Sequence, residues 1–149
     1  MEPPKPLTKN YATVRDRIQP GDVIVFSGVD LPSTVIKVAT HSGYVHAAII
    51  FSTGPDVWGQ MNGLTSMEQR SDTLLIAEAH IDTRFPSVGS GQRTAGVQLQ
   101  WLTNRLTCAQ GPVWWASLRE PLTTNQVSTL QQWLWDDESQ GTPNDFVQA

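Results

Sequence analysis

The chain has 149 residues, enough for one domain with a sizeable core and too few for two. Acidic residues outnumber basic ones 14 to 10, for a net charge of −4, and no Lys/Arg cluster is present; this excludes a nucleic-acid binder held by phosphate contacts. The single cysteine, Cys108, excludes an internal disulfide framework and a cysteine zinc cage, and no apolar run reaches the ~18 residues that span a bilayer. The polar, Pro-rich start has no apolar h-region, so no signal peptide is expected and a reducing compartment, the cytoplasm, is the favoured location.

Residues 1–9 hold three prolines and two lysines and read as a flexible, extended arm, which leaves a single domain over 10–149. Asn10 to Ile18 predicts a short helix capped by Asn10, with Tyr11, Val14 and Ile18 on one side. Pro20-Gly21 is a turn, and Asp22 to Ser27 follows as a strand. Pro32 and Ser33 start a helix expected to run to Thr40, ended by Gly43. Val45 to Ser52 is almost wholly apolar between turn residues, the pattern of a central strand covered on both faces. Residues 53–72 form a long polar, Gly-rich insertion, either a functional cover or a disordered loop. Leu74 to His80 resumes strand, and 81–95, with Gly89-Ser90-Gly91, is expected to be irregular and mobile.

Gly96 to Leu99 predicts a short strand, Gln100 to Leu106 a helical turn, and Pro112 to Arg119 another strand. Thr123 to Glu138 is the strongest helix: Thr123 and Gln126 have capping-box spacing, and Val127, Leu130, Trp133 and Leu134 make one apolar face. Its acidic end, Asp136-Asp137-Glu138, opposes the helix dipole and points to fraying or an outside partner at the C-terminal end; Gly141 stops it. Antiparallel strands with helices set apart from them predict an α+β fold.

Two residues stand out chemically. His46 enters an apolar strand among small residues, where a polar ring is costly unless hydrogen-bonded, so it is either a satisfied structural group or a general base. Glu78 lies inside Leu74-Leu75-Ile76-Ala77-Glu78-Ala79 and shares one strand face with His80 and Asp82. Buried there, it needs a proton or a cation, and His46 on a neighbouring strand is the economical partner; at a sheet edge it would simply face water. A metal-dependent hydrolase using His46, Glu78 and His80, with His41 and Asp82 nearby, is a competing reading, although no HExxH or paired-Cys spacing supports it. His41 otherwise reads as a helix-end histidine. Cys108 lies in a link where Pro112 argues against a helix beginning, so it reads as an inert thiol. No phosphate-cradling Gly loop or GxSxG elbow occurs, and no cofactor is expected.

The ordered motifs are Gln19-Pro20-Gly21-Asp22-Val23-Ile24-Val25-Phe26, the helix 33–40 running into Ser42-Gly43-Tyr44-Val45-His46-Ala47-Ala48-Ile49, Leu75-Ile76-Ala77-Glu78-Ala79, Gly96-Val97-Gln98-Leu99 and Gly141-Thr142-Pro143-Asn144-Asp145-Phe146. In that order the chain resembles the permuted papain-like amidohydrolases, the YiiX/YebB-like proteins related to the NlpC cell-wall peptidases and to lecithin:retinol acyltransferase. The resemblance implies a central antiparallel sheet or partial barrel packed against helices. It also implies a thiol hydrolase or acyltransferase acting on amide or ester bonds of peptides or lipids. The family's strand histidine, its base, falls on His46, and the polar residue that orients it falls on Glu78. Tyr44, beside the base, is expected to contact substrate, with the 53–72 and 81–95 loops shaping the cleft.

The family's nucleophilic cysteine begins a helix beyond a Gly-x-Pro-Tyr-Asp-like segment. Here Asn144 stands in the tyrosine's place, no cysteine follows before Ala149, and Cys108 is not at the matching position. Residues 10–149 are therefore expected to lack the nucleophile helix. That makes the chain a fragment of a longer enzyme or, in the alternative, a degenerate member that binds in the old cleft without cutting.

Overall fold

The turn at Pro20-Gly21 sets the first long strand. Gly21 takes φ +89°, a conformation that glycine adopts without strain, and an added Cβ would meet Leu122 Cδ1 at 2.7 Å. The buried Asp22 carboxylate closes the turn: Oδ2 accepts from Gln19 N at 3.0 Å and Trp115 Nε1 at 2.8 Å, and Oδ1 accepts from Leu118 N at 2.9 Å. Those bonds tie β2 (Val23–Phe26) to β6 (Val113–Ala116), its antiparallel neighbour. The structure is a computed structural model and describes residues 1, 3–7, 10–28, 46–54, 74–81 and 83–143.

Four more strands complete an antiparallel sheet: β1 (Lys5–Pro6), β3 (His46–Ser52), β4 (Leu75–His80) and β5 (Gly96–Trp101). Their order is β1-β6-β2-β3-β4-β5, so β2 to β5 form a meander and β6 returns to the far side of β2. The fold is α+β, as expected, but the sheet stays open: β1 and β5 lie at opposite edges and it does not close into a barrel. Part of the segment read as an arm is tied down. Lys5 and Pro6 pair with Trp115 and Trp114, and Leu7 is fully buried. A two-residue edge strand containing proline suits an edge, because Pro6 has no N–H to leave unpaired.

Alternation along the strands splits the apolar side chains into two cores. On one face Ile24, Phe26, Ala48, Ile50, Ile76, Val113 and Trp115 meet α1 (Tyr11–Val14, continued as a 3-10 turn over Arg15–Arg17) and α2 (Leu102–Cys108). Tyr11, Val14 and Ile18 face this core together, as their spacing predicts, although the Asn10 side chain makes no capping bond. On the other face Phe51, Leu75, Ala77, Leu99 and Trp101 meet Val88 and α3 (Thr124–Ser139). Covering β3 on both sides buries Ile50, Phe51 and Ser52, but Ala47 is exposed and His46 half-buried, so the cover ends where the histidine stands.

Helix α3 starts with the predicted capping box, Thr123 accepting from Gln126 N while the Gln126 side chain accepts from Thr123 N. Its packing face differs from expectation at Trp133, which is 57% exposed. At ~100° per residue, positions 130, 131, 134, 135 and 138 fall within a single sector and 133 falls outside it. The acidic end also finds its partner within the chain. Glu138 is buried and accepts from Ser87 Oγ at 2.7 Å and Ser90 N at 3.1 Å, so the 81–95 stretch, expected to move, is pinned to α3 at Ser87 and Ser90. Gly141 ends the helix at φ +65°. Among the described residues no helix is long and apolar enough to cross a membrane.

Candidate functional site

His46 and Glu78 meet, as their placement in apolar strands predicts. β3 pairs with β4 through Ile49↔Ala77 and Ile50↔Ile76; carried forward, that register sets His80 opposite His46 and Glu78 diagonal to it on the same face. His46 Nε2 lies 2.7 Å from Glu78 Oε2. The His80 ring stands edge-on to His46 at 4.7 Å, and Phe26, the cross-strand neighbour on β2, lies 5.5 Å away on its other flank. The imidazole is thus fixed between two rings and a carboxylate.

Glu78 is the most deeply buried charged group of the site, with 1% of its side chain exposed. Burial pushes its pKa up, but the His46 hydrogen bond and the charges of Arg105, His46 and His80 together outweigh it and hold the carboxyl below its ordinary value. Arg105 comes from α2, whose Leu102, Leu106 and Ala109 seat the helix on the sheet. Its Nε is 2.7 Å from Glu78 Oε1, but the N–H is not aimed at that oxygen; the contact is an ion pair rather than a directed hydrogen bond. Across β5, Gln98 stands opposite Glu78 and Gln100 Nε2 donates to Gln98 Oε1 at 2.9 Å, so a polar layer continues behind the pair.

The His46 side chain, 18% exposed, lines a cavity of about 170 Å³ with Phe26, His80, Arg84, Arg105 and Cys108. Neither Arg105 nor Cys108 was singled out as a site residue by sequence reasoning. Cys108 is not in a featureless link but is the last residue of α2, one turn beyond Arg105, and residues three apart share a helix side. The available signal was an arginine within the apolar 102/106/109 stripe. Reading the segment only as a helical turn over 100–106 concealed it.

An ionised carboxylate only accepts, so Nε2 of a neutral His46 donates to Glu78 and Nδ1 carries the ring's lone pair. This arrangement can take up a proton and return it from one fixed orientation. Glu78 has both oxygens committed, to His46 and Arg105, and among the described residues no three His, Cys, Asp or Glu side chains converge to hold a metal. The set His46, Glu78 and His80 is therefore not a ligand cluster in this fold. Tyr44, His41 and Asp82, the helix expected over 32–40 and most of the 53–72 insertion lie outside the described residues. No family model, curated protein or solved structure matches the chain.

Proposed function

We propose that the chain is a permuted papain-like domain that transfers or hydrolyses acyl groups of peptide or lipid amides or esters through a thiol, with His46 as base and Glu78 as the residue that orients it. The observation that carries this reading is the 2.7 Å contact between His46 Nε2 and a carboxylate held charged by Arg105, in the wall of a cavity. A carboxylate behind a histidine selects the tautomer with its proton on Nε2 and stabilises the cation formed when Nδ1 accepts one.

In the reaction, the thiol proton passes to His46 Nδ1 as sulfur bonds to the acyl carbon. The bond to the leaving amine or alcohol then breaks, and that group takes the proton from His46. Water, or an acceptor alcohol or amine, loses a proton to His46 as it attacks the thioester; the carbon–sulfur bond breaks and the thiol is regained. Tyr44 is placed beside the base by sequence and is assigned a substrate contact.

The test is turnover of a short-chain p-nitrophenyl ester, with mass spectrometry of the trapped acyl adduct. His46→Ala is expected to lower turnover by about 10²–10⁴-fold, the usual contribution of a general base. Wild-type protein that neither turns over the ester nor forms an adduct would overturn the proposal in favour of a binding domain that uses the same cleft.

A further inference from the structure

Acyl transfer of this kind needs a thiolate, and Cys108 is the chain's one cysteine. We propose that Cys108 is the nucleophile served by His46, an inference that rests on the acyl-transfer reading above. Cys108 and His46 line the same cavity from opposite elements, one from the end of α2 and the other from the start of β3. The position is not arbitrary. Leu102, fully buried, and Arg105, paired with Glu78, anchor α2 to the sheet, so the helix that neutralises the orienting carboxylate also carries the thiol to the base. Cys108 is half-buried, open enough for a substrate carbonyl to reach it.

The cavity's charges favour this role. Arg84 and Arg105 line it, and the Glu78 carboxylate behind them is already paired. The C-terminal end of α2 works against a negative charge, but a helix of seven residues sets a partial charge against whole ones. In the reaction the Cys108 Sγ proton passes to His46 Nδ1, a Cys108 thioester forms as the amine or alcohol leaves with that proton, and water or an acceptor releases the acyl group. This nucleophile lies on a different element from that of the resembled family, whose cysteine follows the segment matching Gly141 to Phe146.

The test begins with alkylation by iodoacetamide of the full chain at pH 6.0, where an ordinary thiol is about 0.3% thiolate. With one cysteine in the chain, the modified site is unambiguous. Wild-type protein is expected to react about tenfold faster than His46→Asn or Glu78→Gln, allowing for the lower intrinsic nucleophilicity of a stabilised thiolate. Equal rates in wild type and in both variants would overturn the proposal. In the ester assay, Cys108→Ala is expected to lose both the thioester adduct and turnover. Wild-type turnover in Cys108→Ala would overturn the assignment of Cys108 while leaving the acyl-transfer function standing. Fast, His46-dependent alkylation with no acyl transfer to any ester would instead overturn the function and retain the paired thiol.

Discussion

Glu78 is a carboxylate placed where water hardly reaches it, and Arg105 and His46 are what keep it charged there. Removing one partner of a buried ion pair leaves the other charge uncompensated and costs about 3–5 kcal/mol, more than the pair itself contributes. Arg105→Leu is therefore expected to lower stability to urea by about that amount, and Arg105→Leu combined with Glu78→Leu to recover much of it, since no charge is then left buried. An effect of Arg105→Leu within the ~0.5 kcal/mol typical of surface substitutions would contradict the ion-pair account. His46 and Glu78 were legible in the sequence because a polar residue inside an apolar strand is conspicuous. Arg105 and Cys108 were less so: an arginine among Leu102, Leu106 and Ala109 is a weak local signal, and only the docking of the helix on the sheet brings Arg105 to Glu78 and Cys108 to the cavity that His46 lines.

At the level of elements, α3 and the connection from β4 to β5 form one unit. Ser87 Oγ donates to Glu138, Leu99 N donates to Ser87 Oγ, and Val88 N donates to Leu99 O, so the loop is stitched both to the helix and to the edge strand. At Gly89 the approach is close: an added Cβ would come 2.9 Å from Glu138 Oε2, and the carboxylate would have to shift. Glu138→Ala strips the acceptor from Ser87 Oγ and Ser90 N, and the expected loss is about 2–3 kcal/mol for buried donors left without partners. Hydrogen exchange at Val88, Ser90 and Leu99 should speed up in that variant, while exchange at Val23 to Phe26 stays slow. Capping-box spacing located the start of α3 from sequence alone, whereas the acidic end pointed to fraying or an outside partner, because its acceptor role depends on a loop about fifty residues upstream.

Across the whole molecule, an open sheet with helices on both faces separates two cores, and the candidate site sits at the rim of one of them, where β3 emerges from cover. That position couples stability to pH. Glu78 binds a proton less readily in the folded chain than at its ordinary value of 4.5, so between the two values the unfolded chain holds more protons and stability rises with pH. The contribution is fully present above about pH 4.5 and is lost as pH falls through the lowered folded value. Thermal unfolding of wild type and Glu78→Gln from pH 7 to pH 3 is expected to show a wild-type advantage that shrinks below pH 4.5, because a protonated Glu78 approaches its amide. A gap that stays constant with pH would mean that folding does not lower the Glu78 pKa, and a gap that narrows as pH rises would mean that the carboxyl is held neutral in the fold.

Periodicity, turn chemistry and capping by themselves determined the α+β class, most strand positions, the long helix and the two anomalous residues His46 and Glu78, because each of these is a local pattern. Tertiary structure alone decided that the sheet stays open, that the acidic end of α3 is satisfied internally, and that Arg105 and Cys108 reach the histidine's cavity. Each of those depends on which surfaces meet across many tens of residues. The lone cysteine shows the difference most directly: its neighbours in sequence describe an inert link, while in space it lines one cavity with His46, Arg84 and Arg105.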